Sequence, residues 1–339
     1  MLVGAGGITR DAHLPAYRLA GFPVAAVHDL DPARAARLAA DFGVPRTCAT
    51  LAEAVATAPV GAVYDVAVPA RALPEVLATL PDGAAVLMQK PFGEDLTQAR
   101  ALLALCRRKR LQAAVNFQLR FAPCIAAART LIATGAIGEV HDIEVRVTVY
   151  TPWHLWTFLQ GKPRVEILYH SIHYVDLIRS FLGDPLAVWA RTLKHPKAPE
   201  LAATRSNLIL DYGDGVRATI STNHGHEYGL RHQESYVKWE GTRGAVRARL
   251  GLLLDYPKGL PDELEYCVLE PGNHPEWHPV ALSGSWFPDA FIGSMGSFMR
   301  HLDGEGDSHL SVEDAYRTMA VVEAAYRSSE SGGTVVAYD

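Results

Sequence analysis

Two groups of residues in this sequence have types and spacings that could do chemistry. The first is Gly4-Ala5-Gly6-Gly7-Ile8 with Asp29 downstream. Glycines at such a turn let backbone N–H groups approach a pyrophosphate at the N-terminus of the following helix. A carboxylate about 20 residues later, at the end of the next strand, is where a ribose 2′-hydroxyl is received. The second group is Glu166, His170 and His173, which at about 100° per residue share one helical stripe with Leu177. Imidazoles titrate near neutrality and suit proton transfer. The same face could ligate a metal, but no further run of ligands accompanies it, and the expectation is no metal. For His170 the competing reading is a hydrogen-bonded core histidine.

The elements around the glycines fit a nucleotide fold. Gly4 follows Met1-Leu2-Val3, so the first strand is expected to be unusually short, and a helical pattern containing His13-Leu14-Pro15 comes next. Asp31 and Pro32 open a helix over 33–42, and Gly43 stands at its stop. Strand-like runs at 22–27, 62–68 (closed by Pro69), 84–88 (closed by Gln89-Lys90-Pro91) and 111–117 alternate with helical stretches at 70–79 and 94–109. That alternation implies parallel βαβ units, and hence a doubly wound Rossmann domain over 1–119. Leu30 and Asp31 follow Asp29 with no Arg or Lys among them. A 2′-phosphate would meet uncompensated negative charge there, which favours NAD over NADP. The plainer alternative is a glycine turn followed by a solvated helix cap.

After Arg120 the pattern changes to one helix (122–134), a Gly135-Ala136-Ile137-Gly138 turn and long alternating strands at 140–150, 206–211, 216–222, 234–240 and 245–250. Gly213-Asp214-Gly215 and Gly241-Thr242-Arg243-Gly244 supply hairpin turns. A helix over 312–328, opened by Ser311 and Asp314, closes the pattern. The reading is α/β plus α+β, with residues 120–339 forming a second domain on an open, mainly antiparallel sheet.

Composition excludes several partners. Of 339 residues 49% are hydrophobic and 20% charged, with net charge −5, so no basic field attracts nucleic acid or anionic lipid. No apolar run approaches the roughly 20 residues that cross a bilayer, and a cytoplasmic location is expected. Cys48, Cys106, Cys124 and Cys267 lack any C-x-x-C pairing and are expected as reduced thiols.

Three further stretches carry a resemblance: Met88-Gln89-Lys90-Pro91, Asn116-Phe117-Gln118-Leu119-Arg120-Phe121, and the segment from Ile167 to Leu177 containing His173. With them the chain resembles, nearly end to end, the glucose-fructose oxidoreductase, inositol dehydrogenase and MocA family. The resemblance implies hydride exchange between NAD and a sugar, sugar acid or cyclitol, with Lys90 and His173 handling the substrate hydroxyl. Oxidising an alcohol needs a base and a cation that tolerates alkoxide charge, which suits His173 and Lys90 respectively.

Gln89 stands where the family usually has Glu, and Tyr169 where an Asp usually precedes the histidine. Tyr169 is therefore expected to hydrogen-bond substrate or relay a proton. Gly4, Gly6, Gly7, Ile8, Asp29, Pro69, Gln89 and Lys90 are expected around the cofactor. Asn116, Gln118, Trp153, His170 and His224 are expected around a small polyhydroxylated substrate. A homodimer or homotetramer is also implied. Redox-neutral glycoside cleavage through a transient keto-sugar, and a non-catalytic ligand sensor, remain as alternatives.

Overall fold

Short, mostly buried strands set the architecture of the first part of the chain. In a computed structural model, which describes residues 1–307 and 309–337, six strands form a parallel sheet. They are β1 (Leu2–Val3), β2 (Val27–His28), β3 (Thr47–Cys48), β4 (Val63–Val66), β5 (Ala85–Gln89) and β6 (Gln112–Asn116), in the order β3-β2-β1-β4-β5-β6. The helices between them are α1 (Leu14–Ala20), α2 (Pro32–Phe42), α3 (Leu51–Ala56), α4 (Leu73–Thr79) and α5 (Leu96–Arg108). Consecutive residues such as Val86, Leu87 and Met88 are buried on both faces, as expected for central parallel strands covered on both sides.

Local chemistry explains the boundaries. Asp31 accepts hydrogen bonds from the N–H groups of Ala33 and Arg34, Pro32 opens α2, and Gly43 ends it in the left-handed region at φ 69°. Gly4 has φ 105°, and a Cβ there would lie 2.3 Å from the Ala67 carbonyl oxygen, so only glycine fits between the ends of β1 and β4. The run 22–27 yields a strand only at Val27–His28, because β1, its partner, is equally short.

Two compact units divide the chain. The first comprises residues 1–122 and 286–319, and the second 123–285 and Ala320 onward, so the dividing line falls inside a final helix, Val312–Ser331. This differs from a division at 119/120. Residues 286–319 join the first unit for physical reasons: Ser311 bridges to Ala114, and Arg120 donates to the His309 carbonyl (2.5 Å) and pairs with Asp314 (2.5 Å). A helix at Asp289–Leu302, which the sequence pattern did not mark, contributes Gly293, where a Cβ would meet Phe121 at 2.6 Å.

The second unit is built on an eight-stranded sheet. Its strands are β7 (Val140–Thr148), β8 (Ala187–Leu193), β9 (Arg205–Asp211), β10 (Arg217–Asn223), β11 (Glu234–Gly241), β12 (Gly244–Arg249), β13 (Glu263–Val268) and β14 (His278–Pro279), ordered β14-β13-β12-β11-β7-β10-β9-β8. Every neighbouring pair is antiparallel except β7 with β10. Alternation buries Val145, Leu208, Ile220, Val237 and Val246 on one face, where α6 (Pro123–Ala133) packs against β12 and β13. Phe181 of α7 (Ile172–Leu182) lies 5.2 Å from the Trp239 ring. The other face carries ion pairs such as Arg217 with Asp142 (2.6 Å) and Arg249 with Glu263 (2.6 Å). Toward its β8 edge that face exposes Trp189 and Ile209, which are register partners.

Candidate functional site

In the first unit strand order reverses between β1 and β4, the place where an open α/β sheet leaves a crevice for ligand. The helical turn after the glycines begins at Gly7 and Ile8 and passes through a π-helical segment, Thr9–His13, into α1. A Cβ at Gly6 would meet nothing within 4 Å, and one at Gly7 only Asp11 at 3.8 Å. The backbone there is open to a bulky anion. Asp29 Oδ2 accepts the Ala5 N–H (2.7 Å) and Oδ1 accepts the Asp31 N–H (2.8 Å). The carboxylate thus ties the glycine turn to the end of β2, and each oxygen keeps a second lone pair for a ribose hydroxyl. These residues fit a dinucleotide. The neighbouring cations are engaged with acids: Arg10 pairs with Asp11 at 2.6 Å and Arg34 with Asp31 at 3.8 Å.

The ends of β4, β5 and β6 bring up the remaining candidates. Pro69 is exposed and precedes a turn, Ala70–Ala72. Lys90 is half-buried beside a cis peptide to Pro91, and burial lowers its ammonium from the usual lysine range to about 8. Gln89 pairs in register with Asn116, and Asp65 with Leu87, so the side chains of Asp65, Gln89 and Asn116 share one sheet face.

On that face a buried chain of polar contacts runs from Gln89 Nε2 to His13 Nε2 (2.7 Å) and from His13 Nδ1 to Asp65 Oδ2 (2.6 Å). Tyr17 donates its hydroxyl proton to the same Asp65 oxygen at 2.7 Å. An amide nitrogen only donates, so His13 Nε2 accepts and its Nδ1–H is given to Asp65. Gln89 is therefore engaged with α1. Sequence reasoning missed this support: His13 was visible in a helical pattern, but its partner lies 52 residues away. Asn116 is 1% exposed and both atoms of its amide lack a protein partner, as does Gln118 Oε1. Orphaned buried polar atoms cost about 1–3 kcal/mol each and mark a place that a ligand or water completes.

The second unit carries the histidines. Residues Ile167–Ser171 form a π-helical turn ahead of α7, so the 100° spacing does not hold across it. Glu166 and His170 still meet on a common partner, His224, but Glu166 lies in the interior rather than on a site wall. It is fully buried, takes a hydrogen bond from Ser171 Oγ (2.8 Å) and faces His224 Nε2 (3.3 Å). Burial alone would push its carboxyl up. The hydrogen bond and charge of His224, with hydrogen bonds from Ser206 and Ser171, hold it below its ordinary value.

His224 is 1% exposed, and its other nitrogen faces Thr151 Oγ1 at 2.9 Å. Its ring nitrogens are spent inside the unit, which revises its expected part as a direct hydroxyl partner to that of a support. Its ring lies 4.6 Å from that of His170, tilted by 55°, and the His170 ring lies 5.0 Å from Trp153. His173 sits in the first turn of α7, 7% exposed. Tyr169 packs at 5.9 Å on Phe158, with the Lys162 ammonium 5.7 Å from its ring. Among the described residues no group of three or more His, Cys, Asp or Glu is arranged to hold a metal ion.

A reversed-order parallel sheet with an open glycine turn and the Asp29 carboxylate tethered beside it, joined in one chain to a sheet unit bearing a histidine helix, fits a dinucleotide-dependent oxidoreductase. Comparison with known proteins narrows the class. The chain belongs to the Gfo/Idh/MocA family: residues 1–117 match the oxidoreductase family, NAD-binding Rossmann fold, and residues 125–247 match the GFO/IDH/MocA C-terminal domain.

It is 27% identical over 327 residues to D-apiose dehydrogenase of Rhizobium rhizogenes, covering 93% of this chain and 90% of that protein. An oxidoreductase from Agrobacterium radiobacter, solved with NAD+, L-tartaric acid and magnesium, superposes with a TM-score of 0.81 at 23% identity, covering 98% of this chain and 96% of that one. Levoglucosan dehydrogenase, solved with NADH and levoglucosan, gives 0.79 at 18% identity, covering 97% and 96%. Among the described residues no helix is long and apolar enough to cross a membrane.

Proposed function

We propose that the chain is an NAD(H)-dependent dehydrogenase that moves hydride between nicotinamide and a hydroxyl-bearing carbon of a sugar, sugar acid or cyclitol. The observation that carries this reading is the Asp29 carboxylate held by Ala5 and Asp31 beside an open glycine turn, with Lys90 at the end of β5 in the same unit. Bound NAD+ supplies the hydride acceptor. His173 accepts the hydroxyl proton, and the Lys90 ammonium stabilises the charge that develops on oxygen. Asn116 presents an unpaired amide and Gln118 an unpaired Oε1 to the ligands, while Trp153 and His170 offer ring surfaces to a sugar face. Tyr169 is assigned a hydrogen bond to substrate.

The relatives named above support a small polyhydroxylated substrate, and Asp29 with Asp31 supports NAD over NADP. We assign the enzyme to the cytoplasm and to a homo-oligomer formed through the exposed sheet face of the second unit. Incubating the protein with NAD+ and a panel of aldoses, sugar acids and cyclitols, with absorbance at 340 nm as readout, tests the reading. Net NADH from at least one compound is the expected result. Glycoside cleavage without net NADH, or tight NAD binding with no turnover on any member, contradicts it.

A further inference from the structure

The second unit holds a cavity of about 350 Å³ that the dehydrogenase reading does not use. Its walls include Tyr150, His226, Glu227, Gln233, Asp255 and Tyr256. A line of aromatic contacts leads to it from the histidine helix: His170 to Trp153 at 5.0 Å, Trp153 to Trp156 at 6.4 Å, and Trp156 to Tyr256 at 5.5 Å. Trp153 and Trp156 pack on one side against a core of Leu159, Val165, Ala198 and Leu201 and are only partly buried.

The chemistry of the walls selects a ligand. Rings with half-exposed faces stack on the C–H faces of pyranoses, while a carboxylate and an amide receive vicinal hydroxyls. Gln233 Oε1 is within 3.4 Å of the Asp255 N–H, which leaves the amide nitrogen as a donor. Asp255 is half-buried, and among the described residues its carboxylate has no ion-pair partner. It stands in the left-handed region at φ 56°, a conformation that costs a non-glycine residue energy and that persists where surrounding structure imposes it. Glu227 is paired with Lys197 and contributes no net charge. The cavity therefore carries one uncompensated negative charge, which repels phosphorylated and uronate rings.

We infer that this cavity is a subsite for the second ring of a neutral glycoside whose first ring is presented to His170 and His173. The inference rests on the dehydrogenase reading and extends it from free sugars to glycosides. Calorimetric titration of the NAD-loaded protein with α- and β-linked disaccharides of glucose, galactose and xylose, and with the free sugars, reads the subsite without depending on turnover. At least one disaccharide is expected to bind about tenfold more tightly than its free sugar. Asp255→Asn and Trp156→Ala are each expected to reduce that ratio at least threefold, and a 6-phosphate on the second ring to abolish the advantage.

If no disaccharide exceeds its free sugar, or if the ratio survives both substitutions, the subsite is overturned. Should Trp156→Ala lose its fold, as a melting curve would reveal, Asp255→Asn decides alone. Absence of NADH formation with tight disaccharide binding would count against the dehydrogenase reading and leave the subsite standing, so the two failures are distinguishable.

Discussion

In the proposed mechanism Lys90 is the residue on which the chemistry turns most sharply. Burial lowers its ammonium to about 8, so at neutral pH the cation is present but held weakly. As pH rises through about 8 the proton leaves, the developing alkoxide loses its partner, and kcat/KM is expected to fall up to tenfold per pH unit. Lys90→Met should lower kcat at least 10²-fold and remove that limb of the profile. Gln89→Glu puts a carboxylate one residue before Lys90, at the side chain that meets His13, and should move the limb to higher pH, whereas superimposable profiles would contradict this assignment.

Glycine chemistry and the spacing of a carboxylate were legible to the extent that Asp29 meets the glycine turn through the Ala5 N–H. The contact of His13 with Asp65, and the orphaned amide of Asn116, were not legible, because each depends on which strands become neighbours.

Among the elements, the closest tolerance is where β1 meets β4. Gly4→Ala would place a methyl 2.3 Å from the Ala67 oxygen at φ 105°, so a loss of about 1–3 kcal/mol in denaturant melts is expected. NAD affinity should drop at least tenfold with it, because the turn is displaced. Wild-type melting and affinity would show that the turn tolerates a side chain. The π-helical turn ahead of α7 gives a second expectation. Glu166→Ala leaves His224 and Ser171 without their buried acceptor and should cost about 3 kcal/mol, with Glu166→Gln milder and NAD binding intact in both.

Periodicity recovered the amphipathic elements, such as α2 and the strands β9 to β12. It could not register the π-helical turn at Ile167–Ser171, nor that Glu166, which meets His224 together with His170, is fully buried. It also passed over the helix Asp289–Leu302, whose Gly293 and Gly296 depress helix propensity although packing on Phe121 requires Gly293. The strands β8 and β13 were missed as well. The edge strand β8 relies on Ser328 and Ser329 hydroxyls to receive the N–H groups of Ala190 and Thr192, a partnership made far along the chain.

Across the whole molecule, the exposed sheet face joins a lattice of ion pairs to an apolar edge where Trp189 is 57% and Ile209 48% exposed. A face of that kind suits a second copy of the chain. Trp189→Glu is expected to shift the mass measured by light scattering toward the monomer while leaving melting temperature within a few degrees, and an unchanged assembly would place the interface elsewhere. The general two-part layout followed from the change of pattern near Arg120. The return of residues 286–319 to the first unit did not, since that depends on long-range contacts made by Arg120 and Ser311.

Hydride transfer with proton removal by His173 is tested most directly by following deuterium. A substrate found to yield NADH, deuterated at the carbon to be oxidised, is incubated with NAD+, and the label at nicotinamide C4 is read by NMR. Stereospecific transfer to one face is expected in the wild type. It should be at least 10²-fold slower in His173→Gln, with NAD affinity within threefold of wild type, and in Lys90→Met at saturating NAD+. Undiminished transfer in both variants, or NADH that carries no deuterium, would contradict it.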